Sequence, residues 1–468
     1  VLAVAGVGSV LCAAGIAFAA LPQRSGARAA AAALVLGLLL ILAAGAGYRR
    51  AVNSRPAQLG VPVGYVEQLH GIVRGDCHPG LDGTVRVELI LQSAAAPSRQ
   101  IQRVSSFGRV VLELRAEKGF YHGEVLLVEP LRTGFRDGRG RLWYRVSERR
   151  VRRLGFVSAP RRLRAAALQR TAESMQVLGR APRRLFAALV LGLRQDLAPA
   201  EVQRFRTAGA MHVLALSGMH LGILAALCVA FVKPLFGKRA AVLTASAGAC
   251  AYVLLVGLRP SLLRALLMYL PAAAAYLQGR RVDLVGVLAA AFVGVVAIDP
   301  LSLNTLSFQL SFAALAGIAL FAGPISRCLQ RRLPALVALP LAAAVSAQLV
   351  TAPFLAAGFE VLHPIGIISS LVLVPLVTAF LWASMISWAA LTLCVTAGLD
   401  QRLLVALLRF LPERLYQLLT ASAELFSAAP ALPVAADRLP WVIGVLTAAL
   451  LLRYYHGTRA GRQHTHRE

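Results

Sequence analysis

From Thr207 to Val232 no residue carries a full charge at neutral pH, yet His212, Ser217, Gly218 and His220 sit in the first half, while the second is mostly Leu, Ala, Val and Phe. The stretch is long enough to cross a hydrocarbon core of about 30 Å. Polar groups at that depth are costly unless they face protein or water, so this half must be buried or line an aqueous path. On a helix, Ser217 and His220 are neighbours on one face. His212 and His220 lie about 12 Å apart along the axis, too far to share one metal ion. Two readings of these residues stand on their own: a polar seam where Gly209, Gly218 and Gly222 let helices approach, or the lining of a passage.

Further polar residues interrupt the later apolar runs. Arg264 sits in Leu-Leu-Arg-Ala-Leu-Leu, Gln309 and Ser311 share one segment, and Gln348 lies in another. Arg264 either snorkels towards the nearby segment end or faces water, where its planar fork would offer a phosphate transient donors. Arg259, beside Pro260, reads as an interfacial loop residue. Gln309, Ser311 and Gln348 either line the same path or tie helices together.

The third chemistry-bearing stretch, residues 131–164, has twelve arginines against Asp137 and Glu148. Arginines track phosphates and aromatic faces stack bases without reading sequence. The candidate nucleic-acid set is Arg132, Phe135, Arg136, Arg139, Arg141, Trp143, Tyr144 and Arg145. Attraction to anionic lipid headgroups is the competing reading of the same composition.

These residues need a membrane scaffold. The 468-residue chain is 58% hydrophobic and only 15% charged, which fits a polytopic membrane protein, and 49 Lys and Arg against 21 Asp and Glu suggest a polyanionic partner. Residues 1–50 read as a transmembrane hairpin. Residues 51–160 lose hydropathy and show a period of two in Thr84–Leu91 and Val110–Arg115, with a third short strand in Gly123–Pro130, so a small β domain is expected. Arg24 and Arg28 would hold the first hairpin loop inside and place this domain outside the cytoplasm. Residues 161–198 read as amphipathic, interfacial helices. Residues 199–457 hold further spans at about 240–258, 261–278, 284–298, 306–325, 335–357, 364–396 (long enough for a tight pair) and 439–455, and 458–468 is a polar tail. Only Cys77 lies in the β region, and no CxxC or P-loop pattern occurs. His464 and His466 have no carboxylates around them, so no metal site or cofactor is expected.

The run Phe205–Leu224, FRTAGAMHVLALSGMHLGIL, resembles the signature of the ComEC competence family, inner-membrane channels that carry single-stranded DNA into bacteria during natural transformation. Arg259–Met268 and Asp299–Ile318 are similar to its second and third motifs, and Gln348 to Pro353 with Pro375 continue the pattern. One departure is Ser370, where family members usually carry Asn. The resemblance implies a multi-pass protein of the bacterial plasma membrane, with the β domain an OB-like barrel. It also implies a passage lined by His212, Ser217, Gly218, His220, Arg264, Gln309, Ser311 and Gln348, and no enzymatic role in this chain. The implied partners are single-stranded DNA, a cytoplasmic helicase-like motor and a DNA-receptor protein. The metallo-β-lactamase-like domain of many members is not in this sequence, so a separate nuclease is expected. Two alternatives differ in class: an intramembrane serine hydrolase, since Ala215-Leu-Ser-Gly is similar to the rhomboid GxSG with Ala215 in place of the first glycine, a resemblance that implies Ser217 as nucleophile and a base from another helix, His363; and a polybasic membrane scaffold without a pore.

Overall fold

The computed structural model describes residues 66–80, 82–95, 103–105, 108–130, 134–137, 141–257, 259–280, 284–298, 302–303, 305–359, 361–396 and 402–433. The first hairpin, the last span and the tail lie outside them, as do Arg132 and Arg139.

The β domain is built from β1 (Gln68–Val73), β2 (Thr84–Ala95), β3 (Arg103–Ser105), β4 (Arg109–Arg115), β5 (Glu124–Val128), β6 (Phe135–Arg136), β7 (Leu142–Arg145) and β8 (Val151–Phe156). The sheet runs β6-β7-β4-β2-β1-β5-β8, with β3 paired to β2. All pairs are antiparallel except β4 with β7. Taking β1, β2, β4, β5 and β7 as barrel strands, the single parallel pair joins the third to the fifth, an OB-like order. The described pairings leave it open between β8 and β6. Period-two side chains fill the interior: Val85, Val87, Leu89, Val110, Leu112, Leu126, Leu142 and Tyr144 are all buried.

The helical part comprises α1 (Ala159–Ser174), α2 (Arg180–Val190), α3 (Pro199–Thr207), α4 (Met211–Leu214), α5 (Gly218–Val256), α6 (Pro260–Leu277), α7 (Leu284–Ile298), α8 (Leu306–Leu329), α9 (Ala335–Phe359), α10 (Gly366–Thr396) and α11 (Arg402–Ser427). Five of these, α5, α6, α8, α9 and α10, are long and apolar enough to cross a membrane. α5 is two helices joined at Gly237, whose φ of 80° leaves the right-handed region. A Cβ on Gly248 would lie 3.8 Å from Cys228 Sγ, although twenty residues of straight helix would separate them by about 30 Å. Residues 218–236 and 238–256 therefore fold back on one another, as the separate runs before Lys233 and after Arg239 imply.

Two expectations change. Residues 366–396 form one helix, not a tight pair, because Pro375 is its only breaker and a lone proline need only kink a helix. The segment 161–198 does not reserve its apolar face for lipid. Ala165 and Leu168 of α1 and Leu185, Phe186 and Leu189 of α2 are buried in one core with Leu373, Val377 and Phe380 of α10.

Candidate nucleic-acid interface and polar membrane seam

On the outer face of the β domain, strand pairing assembles aromatic and basic side chains from distant sequence. Trp143 on β7 stands opposite Phe135 on β6, and the rings stack at 6.3 Å with a 15° interplanar angle. The guanidinium of Arg86 lies 5.8 Å from the Trp143 ring centroid, and that of Arg141 5.5 Å. Asp137 fixes this group, accepting from Trp143 Nε1 at 3.0 Å and from Arg141 Nε at 2.8 Å. Glu113 on β4 sits between Arg86 and Arg145, 3.4 Å from each. Arg86 was absent from the sequence-based set: it lies on β2 and reaches Trp143 only through the β2–β4–β7 register.

Tyr144 leaves that set. Leu142 and Tyr144 alternate inward while Trp143 and Arg145 alternate outward, and Tyr144 is 1% exposed in the barrel core. Its ring is packing, not a stacking surface. Arg136 is exposed beside the stack, and Arg153, from the same basic stretch, is committed to structure, bonding Gly119 O and Glu124 and covering the Phe120 ring at 4.2 Å.

One arginine ties the domain to the helices. Arg164 of α1 donates to both carboxylate oxygens of Asp76 and to the carbonyls of Leu254 and Val256, which end the α5 hairpin. Asp76 also accepts the His122 N–H at 3.0 Å. Burial alone would raise the Asp76 carboxyl, but the Arg164 and His122 hydrogen bonds and the Arg164 charge override it and hold the pKa below its ordinary value. Beside it, burial pushes the Cys77 thiol up to about 11, so this cysteine is a poor nucleophile.

Within the membrane part, the Ser217 and His220 pair is a helix cap. Ser217 is the N-cap of α5, and its Oγ accepts the Met219 N–H at 3.3 Å. His220 Nδ1 accepts the Ser217 N–H at 3.2 Å, closing a reciprocal box in which a histidine takes the place of the usual Glu or Gln. Gly218 faces α6: a Cβ there would lie 3.1 Å from Ala265 Cβ and 3.6 Å from Arg264 Nη2. Arg264 is 6% exposed, donates from Nη1 to the Ser311 carbonyl and lies 5.6 Å from the Phe312 ring. Ser217, Gly218, His220, Arg264 and Ser311 are thus one group, joined across α5, α6 and α8.

The other expected lining residues lie elsewhere. Gln309 turns back to the Leu303 carbonyl at 3.1 Å, tying down the turn before α8. Gln348 is half-buried on α9. His212 faces α10, with Nε2 3.4 Å from Ser370 Oγ. That contact lies beside a tight crossing, where a Cβ on Gly209 (φ 70°) would sit 2.7 Å from Gly366 Cα, and Ser369 Oγ donates to the Ala208 carbonyl at 2.6 Å. His363 belongs to this crossing too: its carbonyl lies 3.1 Å from the same Cβ position. The serine-hydrolase reading is not favoured: Ser217 Oγ lies 3.3 Å from His220 Nδ1, but that nitrogen already accepts the Ser217 N–H within the cap, and His363 belongs to the α10 crossing.

A family model described as Competence protein matches residues 189–457, which include the Ser217–His220 cap, Arg264 and the Gly209–Gly366 crossing. No curated protein and no solved structure matches the chain.

Proposed function

The chain belongs to the competence protein family, a multi-pass protein of the bacterial inner membrane with a role in DNA uptake, and from that premise we propose that it forms the passage for single-stranded DNA. The observation that carries this reading is the stack of exposed Phe135 on half-buried Trp143, flanked by Arg86 and Arg141 on an OB-like sheet. Successive bases stack on aromatic faces while guanidinium groups follow the phosphates, which suits a strand received without regard to sequence. The β domain stands outside the cytoplasm and receives the strand from a DNA-receptor protein. The helices carry it inward past the Ser217–His220 cap and Arg264. A helicase-like motor in the cytoplasm supplies the energy, and a separate nuclease degrades the other strand. His212 joins α4 to α10 through Ser370 and Gln309 tightens the turn before α8, with Arg136, Arg141 and Arg145 as phosphate contacts of the β domain.

The test is binding of a labelled single-stranded oligonucleotide to the full chain in detergent. Trp143→Ala should weaken it about 5- to 100-fold, the range for losing one stacked base. Affinity should fall steeply with salt as counterions are released. Binding to anionic vesicles but not to oligonucleotides would return the basic face to the lipid reading.

A further inference from the structure

Seven buried side-chain nitrogen or oxygen atoms among the described residues lack a hydrogen-bond partner, and three of them, Arg194 Nε, His220 Nε2 and Arg264 Nε, belong to residues around the start of α5: His220 closes the cap, Arg264 lies against Gly218, and the loop of Arg194 packs on Leu216. Leaving such groups unpaired is costly, so three in one place point to something that binds there. All three are donors. Arginine Nε always carries its hydrogen, and because His220 Nδ1 accepts the Ser217 N–H, the neutral ring holds its proton on Nε2. His220 is 5% exposed and Arg264 6%, so bulk water does not satisfy them.

The surroundings share this polarity. The loop carrying Arg194 packs on the residue before the cap: a Cβ on Gly192 would lie 2.5 Å from Leu216 Cδ1 and 3.0 Å from Arg259 Nη2. Arg194 and Arg259 both have their pKa lowered, first by burial; the charge of Arg259 adds to this for Arg194, while for Arg259 the Asp76 charge opposes it. Among the described residues no carboxylate forms an ion pair with Arg194, Arg259 or Arg264. The positive end of the α5 dipole adds to them. Arg264 is buried without an ion-pair partner, and Arg194 and Arg259 are half-buried without one, so an anion at this junction would be favoured.

We propose that this junction is a phosphate site: Arg264, Arg194 and His220 hold one phosphodiester group of the strand in transit, at the start of α5, with Arg259 behind them. The proposal rests on the DNA-passage reading and names where in the helical part the strand is gripped. The Ser311 carbonyl and the Phe312 ring hold the Arg264 guanidinium in place, so its free Nε–H is presented without reorganisation. A neutral histidine and shared arginine donors make a grip that releases, as conduction needs.

The full chain, purified in phosphate-free maltoside detergent, is titrated with inorganic phosphate and with dimethyl phosphate while its thermal midpoint is followed. Both anions should raise the midpoint saturably. Arg194→Gln and Arg264→Gln should each weaken the apparent affinity about 10- to 100-fold, the worth of a hydrogen bond to a charged group. The same variants should lower transformation at equal protein levels in the membrane fraction. Arg194 lies in a loop, so its variant carries the test if Arg264→Gln fails to insert. No saturable shift in the wild type, or unchanged affinities in both variants, overturns the site. A response to inorganic phosphate but not to dimethyl phosphate makes the occupant a free phosphate. Loss of the shift in phosphatidylglycerol nanodiscs makes it a lipid headgroup; either result overturns the strand as occupant. Transformation that does not need this chain at all defeats the passage reading itself, whatever the titration gives.

Discussion

Arg164 and Asp76 make the strongest stability prediction. Their side chains are 18% and 10% exposed, and the guanidinium also satisfies the Leu254 and Val256 carbonyls at the end of the α5 hairpin. Arg164→Met leaves a buried carboxylate and two carbonyls without their donor. Breaking a buried pair costs about 3–5 kcal/mol, and the residual exposure places this case near the lower end. The pH dependence should reverse as well. In the wild type the Asp76 pKa lies below its ordinary 3.8, so the stabilisation is complete above that value and is lost as pH falls through the folded pKa. Without Arg164, burial, already the largest single influence, is no longer outweighed and the carboxyl titrates above its unfolded value. The variant should therefore gain stability as pH falls through that raised pKa, where the wild type gains nothing. Unfolding of the full chain in detergent, followed from pH 7 towards pH 3, separates the two slopes. A double-mutant cycle with Asp76→Ala should show a coupling of about 2 kcal/mol. Parallel pH slopes, or single-variant costs that add within about 0.5 kcal/mol, would refute the pairing as the tie between sheet and helices.

The cap predicts that Ser217→Asn keeps thermal stability within a few tenths of a kcal/mol, whereas Ser217→Ala loses about 1 kcal/mol. Transformation that survives Ser217→Asn argues for a cap; a serine-directed phosphonate that labels Ser217 argues against it. At the Gly209–Gly366 crossing, Gly209→Ala adds both a left-handed backbone strain of about 1–3 kcal/mol and a clash with Gly366 Cα, so the amount of folded protein in the membrane fraction should drop sharply.

β2 is visible in the sequence because for most of its length one face is buried and the other is wetter, and β4 because it nearly alternates, with Val111 buried out of phase. β7 and β8 are not visible, since their arginines read as a charge run even though Leu142 and Tyr144 keep the inward period. The error over Tyr144 has that origin: interleaving with arginines made three aromatics look equivalent, and only the pleat separates the outward Trp143 from the inward Tyr144. The two arms of α5 were legible as separate apolar runs, one ending at Val232 and the next starting near residue 240, but the Gly237 turn between them was not. The single α10 helix was not, because length and an internal proline cannot distinguish a kink from a turn.

For the site, the polar residues singled out at membrane depth, Ser217, His220 and Arg264, come together, while Ser311 joins them through its backbone carbonyl, which its residue type does not announce. Nothing local to Arg264 says that it meets the Ser311 carbonyl 47 residues on, and nothing in Gly-Leu-Arg-Gln-Asp says that Arg194 approaches Arg259. Those are facts of helix packing. The histidine of the signature shows how much a motif hides. His220 looks like a chemical group in sequence and acts first as a structural one, since its Nδ1 closes the cap of α5. That same bond fixes the proton on Nε2 and turns the ring into a buried donor. Capping and ligand binding are therefore one arrangement here: the tautomer that holds the helix start is the one that can receive an anion. A residue that capped from Nδ1 as a donor would have to bind through an acceptor, and an acceptor beside Arg194 and Arg264 would itself fill the place of the phosphate.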